Sequence, residues 1–179
     1  MNPLGSPGPD GFPAAFYHQH WSSIGKEVTA AVLEVLQTRQ GFKDINQTFI
    51  SLIPKKKCPQ SALDYRPISL CNVFYKIISK VIANRLKLIL PNLISLTQSA
   101  FVSERLISDN VIVAYELLHS MQSRLKGKHN GYMALKLDMS KAYDRVEWDF
   151  LSKIMRKMGF ESEWVDLVMQ WVTTVNCSI

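Results

Sequence analysis

Two stretches hold residues whose types and spacing can do chemistry. The first runs from Leu135 to Val146, with Asp138 at its centre. Met133, Leu135 and Leu137 alternate with other residues, which predicts a half-buried strand over residues 132–137. Asp138 ends that strand, a polar turn follows, and Val146, Phe150, Ile154 and Met158 recur at helical spacing, with Trp148, Leu151 and Met155 widening the apolar face. A carboxylate where a strand gives way to a turn and a helix is rigidly held and open to solvent, the placement metal-dependent chemistry needs. The same residue also serves as an ordinary turn cap, and spacing leaves both uses open. The second stretch is Lys55-Lys56-Lys57, directly after an apolar run stopped by Pro54, with Asp64 and Arg66 nearby. A basic turn holds phosphate by charge and hydrogen bonding, or is simply solvated. Pro67 biases Arg66 toward an extended backbone, freeing its guanidinium to fork onto a phosphate or onto Asp64.

The elements that must position these groups follow from patterning. Pro7-Gly8-Pro9-Asp10-Gly11 is a loop, because its Pro and Gly residues defeat both helix and ladder. Helices are expected over residues 13–20 and 24–38, with Gly41 beyond the second. Residues 48–53 read as a strand and residues 72–90 as the clearest helix, ended by Pro91. Val73, Phe74, Ile77, Ile78, Val81, Ile82 and Leu86 form that helix's apolar stripe, with Lys76, Lys80 and Lys87 mostly outside it. A helix capped by Ser108 or Asp109 runs to about residue 124, with Ile112, Tyr115, Leu118 and Met121 or neighbouring residues facing inward. Residues 126–131 form a basic hairpin-like loop. Gly159 closes the helix after Asp138, Ser162 caps the last one, and Asn176 to Ile179 opens a strand.

The 179 residues amount to about one domain. A hydrophobic share of 47% and a charged share of 20% are ordinary for a soluble globular protein. Cys58, Cys71 and Cys177 are far apart and show neither a disulfide framework nor zinc spacing. No signal peptide opens the chain and no apolar run approaches a membrane span, so neither secretion nor membrane insertion is expected. The net charge of +6 leans toward a polyanionic partner, although a basic balance is also common in proteins that bind no nucleic acid.

Five blocks occur in order: residues 7–11, 52–56 (Leu-Ile-Pro-Lys-Lys), 65–70 (Tyr-Arg-Pro-Ile-Ser-Leu), 98–101 (Gln-Ser-Ala-Phe) and 137–146 (Leu-Asp-Met-Ser-Lys-Ala-Tyr-Asp-Arg-Val). Together they resemble the reverse transcriptases of LINE-class non-LTR retrotransposons, most closely the plant members. The resemblance implies an α+β fold: the fingers and partial palm of a right-hand polymerase, helix-rich with a small antiparallel sheet. Residues 1–179 would be a single partial reverse transcriptase domain, with 1–130 fingers-like and 131–179 the start of the palm. The reaction implied is RNA-templated addition of deoxynucleotides to a primer 3′-hydroxyl by two-metal catalysis with Mg²⁺, or Mn²⁺ in its place. The implied partners are an RNA template, a DNA primer and deoxynucleoside triphosphates, and the implied location is the nucleus.

By the same resemblance, Asp138 is the first metal-binding aspartate, helped by the backbone carbonyl of Met139. Tyr143 lies under the incoming sugar and selects deoxynucleotides. Lys55, with Lys56 able to substitute for it, and Arg66 clamp the triphosphate. Gln98 and Arg105 fall in a block tied to template or primer handling. Asp144 and Arg145 are local pairing partners. The family's Tyr-Ala-Asp-Asp-like hairpin, the rest of the palm and the thumb do not occur within these residues. Taken alone, the 179 residues are therefore expected to lack polymerase activity, and a non-catalytic nucleic-acid-binding remnant is the alternative reading.

Overall fold

A computed structural model describes residues 1–124, 133–139, 142 and 145–178. The chain divides into two compact units, residues 1–82 with 148–179 and residues 83–147.

The first unit opens with α1 (Ala14–Thr38) and the single turn α2 (Phe42–Ile45). The predicted break between residues 20 and 24 does not occur. Nothing at residues 21–23 forbids helix, and Gly25 is covered by the Trp21 indole, 3.0 Å from where a Cβ would stand. The helix ends where Arg39 turns left-handed (φ 58°) and its N–H bonds the Val35 carbonyl. Next come β1 (Gln47–Pro54) and β2 (Tyr65–Cys71), paired antiparallel. Helix α3 (Val73–Leu93) begins in this unit. It runs past Pro91, which sits in the last turn rather than ending the helix; there the lost N–H leaves only one rung of the ladder open.

After Asp138 come α5 (Trp148–Lys157), α6 (Ser162–Thr173) and β3 (Asn176–Ser178), which lies parallel to β1. The sheet order is β2-β1-β3, so the sheet is mixed rather than purely antiparallel. Asn46 sets this arrangement. Its buried side chain donates to the Trp171 carbonyl at 2.8 Å and to Thr174 Oγ1 at 3.0 Å, while its own carbonyl accepts the Asn176 N–H at 3.0 Å. One residue thus closes the carboxyl end of α6 and starts the parallel pairing. The core joins Val32, Phe42, Ile78, Ile82, Leu167 and Trp171, and Tyr75 stacks on the Trp171 ring at 4.6 Å.

Two details of these helices differ from expectation. The buried line of α5 runs through Met155, flanked by half-buried Leu151 and Ile154, and leaves Phe150 exposed. Glu161, not Ser162, occupies the N-cap of α6; the Ser162 hydroxyl instead accepts from Arg156 at 2.8 Å, and Arg156 also pairs with Asp166 at 2.7 Å.

The second unit holds the later turns of α3, a loop and α4 (Ile107–Arg124). Ile112, Tyr115 and Leu118 are exposed, contrary to the inward face read from their spacing. An amphipathic pattern buries its stripe only where something packs on it, and these three side chains of α4 stand in solvent.

Candidate nucleotide and metal site

The β1–β2 hairpin is built locally. Thr48, Phe49, Ile50, Leu52 and Ile53 favour strand, and register places Ile53 opposite Arg66 and Pro54 opposite Tyr65. Pairing extends one step further, where the Lys55 N–H donates to the Asp64 carbonyl at 2.7 Å. The connecting turn is organised by a capping box between Ser61 and Asp64 around a short 3-10 helix (Ala62–Asp64). The Asp64 carboxylate accepts from the Gln60 and Ser61 N–H groups at 2.8 and 3.0 Å and from Lys56 Nζ at 2.9 Å. The Gln60 amide first, and then Lys56, hold this carboxyl below the usual carboxylate range.

Lys55 Nζ donates to the Leu63 carbonyl at 2.8 Å. Both predicted lysines therefore stand at the turn end of the hairpin, already engaged with it. Arg66 is on the same hairpin, exposed, and makes no hydrogen bond or ion pair with a described residue. Of the two roles open to its guanidinium, the pairing with Asp64 does not occur, because Lys56 takes that carboxylate.

Asp138 and Met139 belong to the second unit. Residues 133–139 form no strand, in contrast to the expectation from their alternation. Leu135 and Leu137 are exposed, the latter at 83%. A strand exists only with a ladder partner, and these residues have none among the described ones. Asp138 is solvent-exposed. Its carboxylate and the Met139 carbonyl are hard oxygen donors of the kind Mg²⁺ prefers. Two donors fill only part of an octahedral shell, and no group of three or more His, Cys, Asp or Glu residues forms a metal cluster among the described residues. Tyr143 and Asp144 lie outside the described residues, as do residues 126–131.

Gln98 and Arg105 come together in a tight loop. The Arg105 guanidinium donates to the Ser95, Gln98, Pro91 and Ile94 carbonyls at 2.5, 2.7, 3.3 and 3.3 Å. These bonds close the carboxyl end of α3, so Arg105 acts on the loop backbone.

Residues 53–178 match the family model for reverse transcriptase (RNA-dependent DNA polymerase). The chain belongs to the reverse transcriptase family. It is 30% identical over 174 residues to the transposon TX1 uncharacterized 149 kDa protein of Xenopus laevis, covering 97% of this chain and 13% of that protein. It is 26% identical over 165 residues to the retrovirus-related Pol polyprotein from the type-1 retrotransposable element R2 of Nasonia vitripennis, covering 92% of this chain and 15% of that one. These matches bear out the resemblance to reverse transcriptases of non-LTR retrotransposons. The chain spans about one-seventh of the length of these relatives. Among the described residues no helix is long and apolar enough to cross a membrane.

Within this reverse transcriptase segment, two positions escaped the sequence reading. The Asn72 side chain accepts the Asp10 N–H at 3.1 Å, and a Cβ on Gly8 would collide with the Asn72 backbone and side chain. Gly8 thus docks the 7–11 loop onto the β2–α3 junction, where no other residue fits. Asn46 is the second. A lone Asn before a strand carries no signal until the helix end it caps is known.

Proposed function

We propose that this chain is the fingers and first palm segment of a non-LTR retrotransposon reverse transcriptase, with residues 1–130 fingers-like and 131–179 opening the palm. Lys55, Lys56 and Arg66 take the triphosphate of an incoming deoxynucleotide. The observation that carries this reading is the match over residues 53–178, which begins at the hairpin bearing these three cations. Arg66 contributes most, since its fork engages no described residue, whereas Lys55 and Lys56 must release the Leu63 carbonyl and Asp64. Asp138 and the Met139 carbonyl hold Mg²⁺, for which Mn²⁺ can stand in. When bound, the metal supplies Lewis-acid stabilisation of phosphate charge. Tyr143 excludes a 2′-hydroxyl from the sugar position. Gln98 and Arg105 serve the strand through the loop they brace. The partners are an RNA template, a DNA primer and deoxynucleoside triphosphates. The exposed cations Arg85 and Lys87 of the second unit favour RNA binding even without catalysis.

Among the described residues, Asp138 and the Met139 carbonyl alone are too few donors for two-metal chemistry. Primer extension on a homopolymer RNA template with Mg²⁺ or Mn²⁺ is expected to give no product. Sustained incorporation that Asp138→Asn abolishes would overturn this account of the fragment.

A further inference from the structure

Lys56 already holds an anion. Its Nζ lies 2.9 Å from Asp64 Oδ2, the distance of a charge-assisted hydrogen bond. The two partners are not held alike. The Asp64 side chain is 19% exposed and the Lys56 side chain 54%. Asp64 also accepts the Gln60 N–H at 2.8 Å and the Ser61 N–H at 3.0 Å, inside the turn that its own capping box closes. Lys56 has no other side-chain partner among the described residues. When the pair parts, the carboxylate keeps two backbone donors and the lysine alone is released. The Gln60 amide first, and then Lys56, hold the carboxyl below its ordinary range, so it carries its charge at neutral pH.

The other two cations of the hairpin differ. Lys55 Nζ is held by a neutral group, the Leu63 carbonyl, and Arg66 engages no described residue. Of the three, Lys56 is the one that must exchange one anion for another to take a phosphate.

We propose that Asp64 is an intramolecular competitor of the nucleotide, its carboxylate occupying Lys56 in the place of a phosphate until a triphosphate displaces it. This rests on the reading of the hairpin as the triphosphate site and adds a residue that restrains that site. In the exchange, Lys56 Nζ leaves Asp64 Oδ2 and bonds a phosphate oxygen. No proton moves. Asp64 stays on the Gln60 and Ser61 amides, so the turn that carries the lysines holds its shape. The apparent affinity falls by the fraction of Lys56 that is occupied.

The test is calorimetric titration of the 179-residue chain with a deoxynucleoside triphosphate in low salt. Asp64→Asn keeps a carbonyl oxygen for the two amides and removes the charge that holds Lys56, and it is expected to tighten binding. The gain should be about threefold larger with Lys56 present than in a Lys56→Ala background. That difference separates the displaced pair from the general effect of removing a negative charge. Equal gains in the two backgrounds, or no gain from Asp64→Asn, overturn this inference and leave the triphosphate site standing. Failure of both the parent and Asp64→Asn to bind the triphosphate overturns the underlying reading and this inference with it. A second readout needs no variant. In the parent at saturating triphosphate, NMR should show the Lys56 side-chain resonances shifted while the Gln60 and Ser61 amides keep their protection from exchange. Unshifted Lys56 resonances, or loss of that protection, contradict the exchange.

Discussion

The hairpin bearing Lys55 and Arg66 and the stretch bearing Asp138 each run apolar residues into a polar turn, yet they end differently. Residues 48–53 form a strand because β2 pairs along them and the Ser61–Asp64 capping box closes the turn between the two. Residues 133–137 alternate apolar with other residues and form none. Alternation says which face a strand would bury. It supplies neither the ladder partner nor the layer beneath. The cations are thus positioned by short-range chemistry, whereas the stretch bearing the carboxylate has no ladder partner among the described residues.

Substitutions can break or sharpen this contrast. The largest effect is expected at Trp171, buried against Phe42 and Tyr75 in the unit that holds the hairpin. Trp171→Ala should cost about 3–5 kcal/mol in a chemical or thermal melt. Asn46→Ala comes next, at about 1–3 kcal/mol, because it leaves the Trp171 carbonyl unpaired within the core. Hydrogen exchange should then rise at Asn176, whose N–H bonds the Asn46 carbonyl. Leu137→Ala should change stability by no more than about 0.5 kcal/mol, as its side chain is exposed. A large loss there would mean that the Asp138 stretch packs after all.

The smallest effect is a pH response confined to the hairpin turn. The Asp64 pKa in the folded turn is lowered, so its contribution is complete above the ordinary carboxylate value and fades as pH falls through the folded value. An NMR titration should find Asp64 losing its proton below that ordinary value, with the Gln60 and Ser61 amides exchanging faster only in acid. Titration of Asp64 at or above the ordinary value would contradict the turn geometry.

Much of the fold was legible in the sequence. Helix α3 follows from apolar spacing and strand β1 from strand-favouring residues, the short β3 lies where a strand was expected, and Gly159 (φ 88°) follows the end of α5 as expected. Strand β2 was not, because Pro67 argues against a strand; it is tolerated since β2 is an edge and needs no N–H on its open side. The burial of α4 was misjudged because periodicity names a face without naming its cover. The candidate cations were recognisable from Lys55, Lys56 and Arg66 in their blocks. Their engagement with Leu63 and Asp64 was not, because it depends on a turn only the folded hairpin defines.

The central claim is that the hairpin cations receive a nucleotide triphosphate. Titration of the 179-residue chain with a deoxynucleoside triphosphate, followed by calorimetry in low salt, tests it most directly. Arg66→Ala should weaken binding about tenfold or more, Lys55→Ala less, and Leu137→Ala not at all. Equal binding by the parent and by the Arg66→Ala, Lys55→Ala double variant would contradict the account.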